Sequence, residues 1–282
     1  MTYIDKVGYW EPHSSSIDFC ESNYLHFYHI AEFHNVWSSL LGLSLFGLIG
    51  LFHPYNNPTQ EWRYTLAYAT LFIIGLGSAA LHGTLNWVYQ SSDELPMIYL
   101  THCLLYMCLE IDAPRGQSNY PYLSHFFIIL TLVLTVLYYT YQQVYLVFIF
   151  VFTLESILIL YAFYRILVLN SHPSVYGKQW AYRGVISYVL VAFPLWLVDM
   201  LQCHHLLSIV NQSKGLFSTL LRGATPHVIW HFGSGYGAYC FILSLVCVRM
   251  EKLNIPYGIR FQPRILPFVP AIVPKRNNDK EC

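Results

Sequence analysis

Seven apolar runs dictate what this chain can become. They lie at about 35–53, 63–82, 94–111, 121–140, 144–165, 182–202 and 226–248, each near the ~20 residues that cross a bilayer as helix. No water satisfies the main chain inside hydrocarbon, so a run of that length crosses as a helix that closes its own hydrogen bonds. Only 11% of residues are charged, against roughly 25% in soluble domains. The 17% aromatic content, with 24 Tyr, suits wide membrane interfaces. The expectation is an all-α membrane protein, a seven-transmembrane helix bundle spanning residues 35–250.

Residues 1–34 precede the bundle as a polar, acidic and aromatic cap without an apolar signal core, so they are expected in the mature protein. From 251 to 282 the tail sets Pro256, Pro263, Pro267, Pro270 and Pro274 among basic residues, which predicts an extended or disordered segment. Runs four and five are separated only by residues around Gln142-Gln143, predicting a tight antiparallel hairpin. Ser92-Asp93 precedes the third run, with Pro96 in its expected first turn. Thr225-Pro226 reads as N-cap and N1 of the seventh.

Charge gives an orientation. With seven spans, the N-terminal side holds only Lys6, Lys214 and Arg222, and the other side holds the remaining twelve of the fifteen Lys and Arg. Positive residues stay cytosolic, so the cap is expected in the lumen and the tail in the cytosol. Net charge is zero, and nothing points to nucleic acid. No protein partner is evident from the sequence.

The costly polar residues gather on the cap side. The second run ends on Ser78 and His82, the third opens on Asp93, and the seventh opens on His227 and His231. Each pair spaced by four residues shares a helix face. The end of an even span and the start of an odd one lie on one side, so four separate pieces meet in one layer. Three imidazoles with an open fourth position suit zinc, whose bound water becomes a nucleophile near neutral pH. Asp93 is placed to take a proton, and Ser78 to donate to an oxyanion. Blander roles fit the same residues: Asp93 as a helix cap, Ser78 bonded to its own helix, each His as an interfacial side chain.

The cap offers oxygen ligands of the kind calcium takes: Asp18, Glu21 and Glu32, the amide of Asn23, and main-chain carbonyls such as that of Phe19. A solvated acidic loop is the alternative. His26, His29 and His34 crowd the cap, and His204-His205 point different ways on a helix. Asp199 shares the cap side, either orienting a ligand His or capping a helix. Glu155, in the fifth run, has no evident partner.

Taken together, Ile17-Asp18-Phe19-Cys20-Glu21-Ser22-Asn23-Tyr24, Ala31-Glu32-Phe33, Gly77-Ser78-Ala79-Ala80-Leu81-His82, Asp93-Glu94-Leu95-Pro96-Met97 and His227-Val228-Ile229-Trp230-His231 resemble the alkaline ceramidase family over nearly the whole chain. The resemblance implies seven spans and hydrolysis of the ceramide amide to a sphingoid base and a fatty acid. It implies zinc on His82, His227 and His231, with Ser78 and Asp93 in catalysis. It implies calcium on Asp18, the carbonyl of Phe19, Glu21, Asn23 and Glu32. The chain departs from the family pattern at Phe19 and His34, where the family usually has Trp, and at Ser22, where it usually has an acid. An endoplasmic reticulum or Golgi membrane is the expected location. Ceramide is expected to enter from the bilayer, its tails among the aromatic-rich fourth to sixth spans.

Two other classes compete. A seven-span receptor of the progestin and adiponectin receptor type also carries Ser, Asp and three His for zinc, but its usual orientation opposes the charge count. A zinc or proton transporter needs polar groups through the full depth, whereas these ligands occupy one layer. Two modifications are expected on the cap side. Cys20 and Cys203 are the cysteines left in an oxidising compartment outside hydrocarbon, which predicts a disulfide. Asn211-Gln212-Ser213 is an N-glycosylation acceptor in the loop between runs six and seven.

Overall fold

The computed structural model describes residues 6–52, 56–141, 145–169, 174–212, 215, 224–261 and 270–274. Its long helices are α1 (Phe33–Phe52), α2 (Trp62–Thr84), α3 (Trp87–Leu109), α4 (Leu123–Thr140), α5 (Tyr145–Leu169), α6 (Val175–Leu206) and α7 (Pro226–Lys252). Six of them, all but α3, are long and apolar enough to cross a membrane. α3 is as long as α2, at 23 residues, but buries Gln90, Ser91, Asp93 and Glu94. Those groups lower its hydropathy while facing the interior. The residues around Gln142-Gln143, expected as a hairpin turn, lie outside the described residues.

Helix starts follow local chemistry. α7 opens as expected, with Thr225 accepting from Val228 N–H and Pro226 in the first turn. α3 does not start at Ser92-Asp93. It starts at Trp87, where the Asn86 side chain accepts from Val88 N–H at 2.9 Å, so Asp93 lies inside the helix and Pro96 is internal. Asn is a strong N-cap, and the polar turn from Gln90 to Asp93 hid the helix behind it. α6 also begins early, at Val175, capped by Ser174 accepting from Gly177 N–H. The tail is not wholly irregular: β1 (Tyr257–Phe261) pairs antiparallel with β2 (Pro270–Pro274), Tyr257 opposite Pro274 and Phe261 opposite Pro270. Both prolines sit at the ends of their strand, where a missing N–H is tolerated.

Burial sets the layers. α7 is the central helix, with 83% of its most apolar window buried, against 6% for α4. The outer faces of α4, α5 and α6 expose Ile129, Leu132, Phe150, Ile157 and Leu190, as lipid-facing helices do. α1 and α7 meet backbone to backbone. A Cβ on Gly235 would fall 1.8 Å from the Gly42 carbonyl oxygen, an approach only small residues permit. α2 and α3 approach as closely at Gly77, where a Cβ would fall 1.9 Å from Ser92 O. Pro96 has no N–H for that carbonyl four residues back, so Ser92 O is free to face Gly77.

Apolar burial gives little drive between helices in lipid, and side-chain hydrogen bonds contribute instead. α4 is tied to α3 by an antiparallel ladder of them: Ser91 to Tyr139 at 2.7 Å, Tyr138 to Glu94 at 2.6 Å, Tyr99 to Thr135 at 2.6 Å and His102 to Thr131 at 2.7 Å. Glu155 on α5 joins it. The sequence showed no partner for this acid; it bonds His102 Nε2 at 2.9 Å and Thr101 Oγ1. At the end away from the cap, buried Arg249 clamps Glu61 at 2.7 Å and donates to the carbonyls of Ile111 and Ala113. Arg63 adds a second guanidinium to Glu61 at 3.1 Å.

Candidate active site and metal centre

The three helix pieces converge, and the cap meets them. α2 brings Ser78 and His82 on successive turns, α3 brings Asp93, and α7 brings His227 and His231. The imidazoles of His82, His227 and His231 are all buried, and one potential ligand atom from each lies within 4.8 Å of the others. Among the described residues this is the one such group of three or more His, Cys, Asp or Glu. Ring centroids are 5.0 Å apart for both pairs with His82 and 4.6 Å for His227 and His231. Ser78 Oγ lies 3.3 Å from His231 Nε2, and the Asp93 carboxyl lies beside the Ser78 hydroxyl.

Unsatisfied atoms show what the cluster fits. Buried polar atoms are almost always hydrogen-bonded. Yet His82 Nε2, His227 Nδ1 and Asp93 Oδ1 are buried without a hydrogen-bond partner. The opposite nitrogen of His82 is held: Nδ1 meets Glu32 Oε2 at 2.5 Å. His231 Nδ1 likewise meets Ser38 Oγ at 2.7 Å. Fixing one ring nitrogen on an acceptor leaves the other a lone pair for a metal. The donor set therefore fits a small cation that takes nitrogen ligands.

The cap closes over this centre. Glu32 touches both sides: Oε1 accepts from Phe19 N–H at 3.3 Å, and Oε2 also accepts from Asn35 Nδ2 at 3.2 Å. Burial, with Glu21 and Asp18 nearby, raises its carboxyl well above the usual carboxylate range. Glu21 caps α1, accepting from His34 N–H at 2.7 Å and Asn35 N–H at 2.8 Å, with His34 Nδ1 at 2.9 Å. Asn23 Nδ2 donates to Asp18 Oδ1 at 3.5 Å. All the expected oxygen donors thus sit in one cap segment, and two of its carboxylates also organise α1 and His82.

Other expectations resolve in detail. Asp199 touches main chain rather than an imidazole: it accepts from Cys20 N–H at 3.1 Å and His227 N–H at 3.3 Å. It therefore caps α7 and ties down the cap segment together. The Phe19 side chain, given only a main-chain role by the sequence, packs its ring 3.9 Å from His227 and 4.9 Å from His82 between centroids. Cys20 and Cys203 stand side by side, their Cα atoms 5.2 Å apart. Asn211 lies on the helical run that continues α6 to Gln212, and Ser213 of its acceptor motif lies outside the described residues. Sequence reasoning passed over Ser38 and Ser39, both buried in α1. Asn35, Ser38 and Ser39, polar residues at helical spacing in the first run, were the available signal.

Beneath the centre lies an apolar cavity of roughly 670 Å³ including its mouth, lined by residues such as Leu71, Met97, Phe152, Tyr188 and Trp230. Trp230 lines the cavity and stacks on His227 with centroids 5.1 Å apart, so one ring stands between the cavity and the imidazoles. The expected lining by spans four to six needs correction. α5 and α6 line the cavity, joined by α1, α2, α3 and α7, and α4 contributes none of its lining residues. α4 sits outside α3, held there by its ladder. Tyr188 and Val189 reach the cavity from a widened π-helical stretch of α6, Val185–Ala192, a local form frequent at functional sites.

A chain with this centre has known relatives. The ceramidase family model matches residues 11–271. This chain belongs to the ceramidase family. It is similar to mouse alkaline ceramidase 3, 31% identical with 94% of this chain and 96% of that protein covered. It is similar to yeast alkaline ceramidase YPC1 at 28% identity, covering 90% and 83%, and to Arabidopsis alkaline ceramidase at 24%, covering 95% and 97%. Ceramidase-family membership favours a hydrolase over the receptor reading.

Proposed function

We propose that this protein is a zinc-dependent amidase of the membrane that hydrolyses ceramide to a sphingoid base and a free fatty acid. One observation carries the reading. In a ceramidase-family chain, three buried imidazoles cluster beside a buried carboxylate, and His82, His227 and Asp93 each keep an atom with no hydrogen-bond partner. Zinc on His82, His227 and His231 would supply a Lewis acid and an acidified water. Asp93 takes the proton as the water oxygen adds to the amide carbonyl carbon. Ser78 donates to the carbonyl oxygen as it becomes negative. The C–N bond then breaks, and the proton held on Asp93 passes to the departing nitrogen. The cavity holds the hydrocarbon tails, and α5 and α6 wall it with little main-chain contact between them. That seam gives a lipid a route in from the bilayer.

The cap completes the reading. Asp18, the carbonyl of Phe19, Glu21, Asn23 and Glu32 would hold calcium, which relieves the crowding of negative charge around Glu32 and stiffens its hold on His82. α3 makes the seventh span: its polar groups face inward, and it lies between spanning neighbours. The charge count favours a lumenal cap over residues 1–34, a bundle over 35–250 and a cytosolic tail over 251–282, in an endoplasmic reticulum or Golgi membrane. A lumenal cap would carry a Cys20–Cys203 disulfide and sugar on Asn211.

The test is hydrolysis of a fluorescent ceramide by purified protein, with metal analysis of the same sample. Replacing His82, His227 or His231 by Ala should remove metal and activity together. Asp93→Asn should keep the metal and lose turnover. Full activity in metal-free protein overturns the zinc reading, and wild-type turnover in Asp93→Asn removes that residue from the chemistry.

A further inference from the structure

Ser38 is buried on the face of α1 that the Gly42–Gly235 contact presses against α7. Its hydroxyl stands between two groups: it donates to the Asn35 carbonyl at 3.1 Å and meets His231 Nδ1 at 2.7 Å. A hydroxyl has one proton. With that proton on the Asn35 carbonyl, Ser38 Oγ meets the imidazole only as an acceptor, so Nδ1 must carry the hydrogen. Nε2 then keeps its lone pair and turns toward Ser78 Oγ, 3.3 Å away, and the centre it shares with His82.

We infer that Ser38 is a positioning residue for the metal, fixing the tautomer and ring plane of His231 through a relay of Asn35 carbonyl, Ser38 hydroxyl and imidazole N–H. The inference rests on the zinc reading and extends it to a residue on α1, a helix that supplies no ligand. It also gives the three histidines unlike supports. His82 rests on a carboxylate, Glu32, and His231 on a neutral hydroxyl. His227 is placed by its main chain, through Asp199. Adjacent Ser39 serves the other side of the site: its Oγ donates to Asn35 O at 2.7 Å and reaches Ser78 Oγ at 3.0 Å. The two serines thus share one carbonyl anchor, Ser38 meeting His231 at Nδ1, and Ser39 reaching the proposed oxyanion donor and, at 3.4 Å, Nε2 of the same ring.

The experiment uses the full chain, stripped with a chelator and titrated with zinc against a chromophoric competitor. A parallel cobalt(II) titration reads the visible absorption of the centre. Removing a partner that orients a ligand His costs about 10- to 100-fold in metal affinity. Ser38→Ala should weaken zinc by that factor and alter the cobalt spectrum, and Ser38→Thr, which keeps the hydroxyl, should restore both. Should Ser38→Ala not fold, Ser38→Cys keeps the volume with a weaker acceptor and is read by the same titrations. Wild-type affinity and spectrum in whichever of these folds overturn the inference while leaving the zinc reading intact. A wild-type chain that takes up no zinc overturns both.

Discussion

Gly77→Ala asks whether the close approach of α2 to α3 assembles the site. The added Cβ would stand 1.9 Å from Ser92 O and 2.5 Å from Ser92 C, where real Cβ atoms keep at least 3.0 Å. The obstructing atoms are main chain, so no side chain can swing away, and the helices must part by about 1 Å. Overpacking of this kind costs about 1–3 kcal/mol, which a fold stable by roughly 5–15 kcal/mol survives. The residues that part are the neighbours of the clash, Ser78 on α2 and Asp93 on α3. A misplacement of about 1 Å can reduce catalysis about 100-fold. The three histidines lie on α2 and α7, so metal content should persist. The expected result is a folded, metal-replete variant whose kcat for a fluorescent ceramide falls about 100-fold. Gly83→Ala is the control on the same helix, because its Cβ would meet only Val36 Cγ2, at 3.8 Å. Wild-type turnover in Gly77→Ala, or an equal loss in Gly83→Ala, refutes the reasoning.

Other expectations follow from the same contacts. Glu32→Gln puts an amide where one of His82 Nδ1–H and Phe19 N–H now finds a carboxylate oxygen, and leaving a buried donor unpaired costs about 1–3 kcal/mol; a lower melting temperature with weaker zinc retention is the expected result. Glu61→Gln loosens buried Arg249 and Arg63, a loss of about 3 kcal/mol by thermal or denaturant unfolding. Burial would raise the Glu61 carboxyl, but hydrogen bonds from Arg249 and the charge of Arg63 outweigh it and hold it below its ordinary value of 4.5. The stability it contributes is therefore present above pH 4.5 and lost as pH falls through the lowered value, so the gap between wild type and Glu61→Gln should close in acid. Non-reducing peptide mapping should recover Cys20 joined to Cys203, and Cys20→Ser should lower stability by about 2–4 kcal/mol; both thiols free in unreduced protein would refute the bridge.

The convergence of His82, Asp93, His227 and His231 was legible because it depends only on counting spans: ends of even runs and starts of odd runs share a side. The cap donors were legible as a cluster of acids beside the first run. Hydropathy located the helices, yet set the starts of α3 and α6 too late, because a turn rich in polar side chains looks like a loop until its burial is known. Ser38 and Ser39 were passed over for a related reason. Small hydroxyl residues are common on helices, and only the α1–α7 contact at Gly42 and Gly235 brings these two to His231. The partners of Glu155, Thr101 and His102, both come from α3, and no spacing within one sequence reports a contact between helices. Proline content concealed the β1–β2 pair, since prolines at strand ends do not forbid pairing.

The position of α7 bears on the order in which the protein is made. Chains emerge from the N-terminus at about 5–20 residues per second, and α7 is the last long helix in chain order although it is the most buried. α1 to α6 must therefore wait in the membrane around an axis that has yet to arrive. Gly42, the Ser38-Ser39 pair and Ser78 face that gap until α7 inserts. Two of the three imidazoles arrive with it. A nascent chain halted before Pro226 holds one ligand of the centre and no means of completing it, so the hydrolytic site comes into being in a single late step, when the wedge that locks the bundle enters.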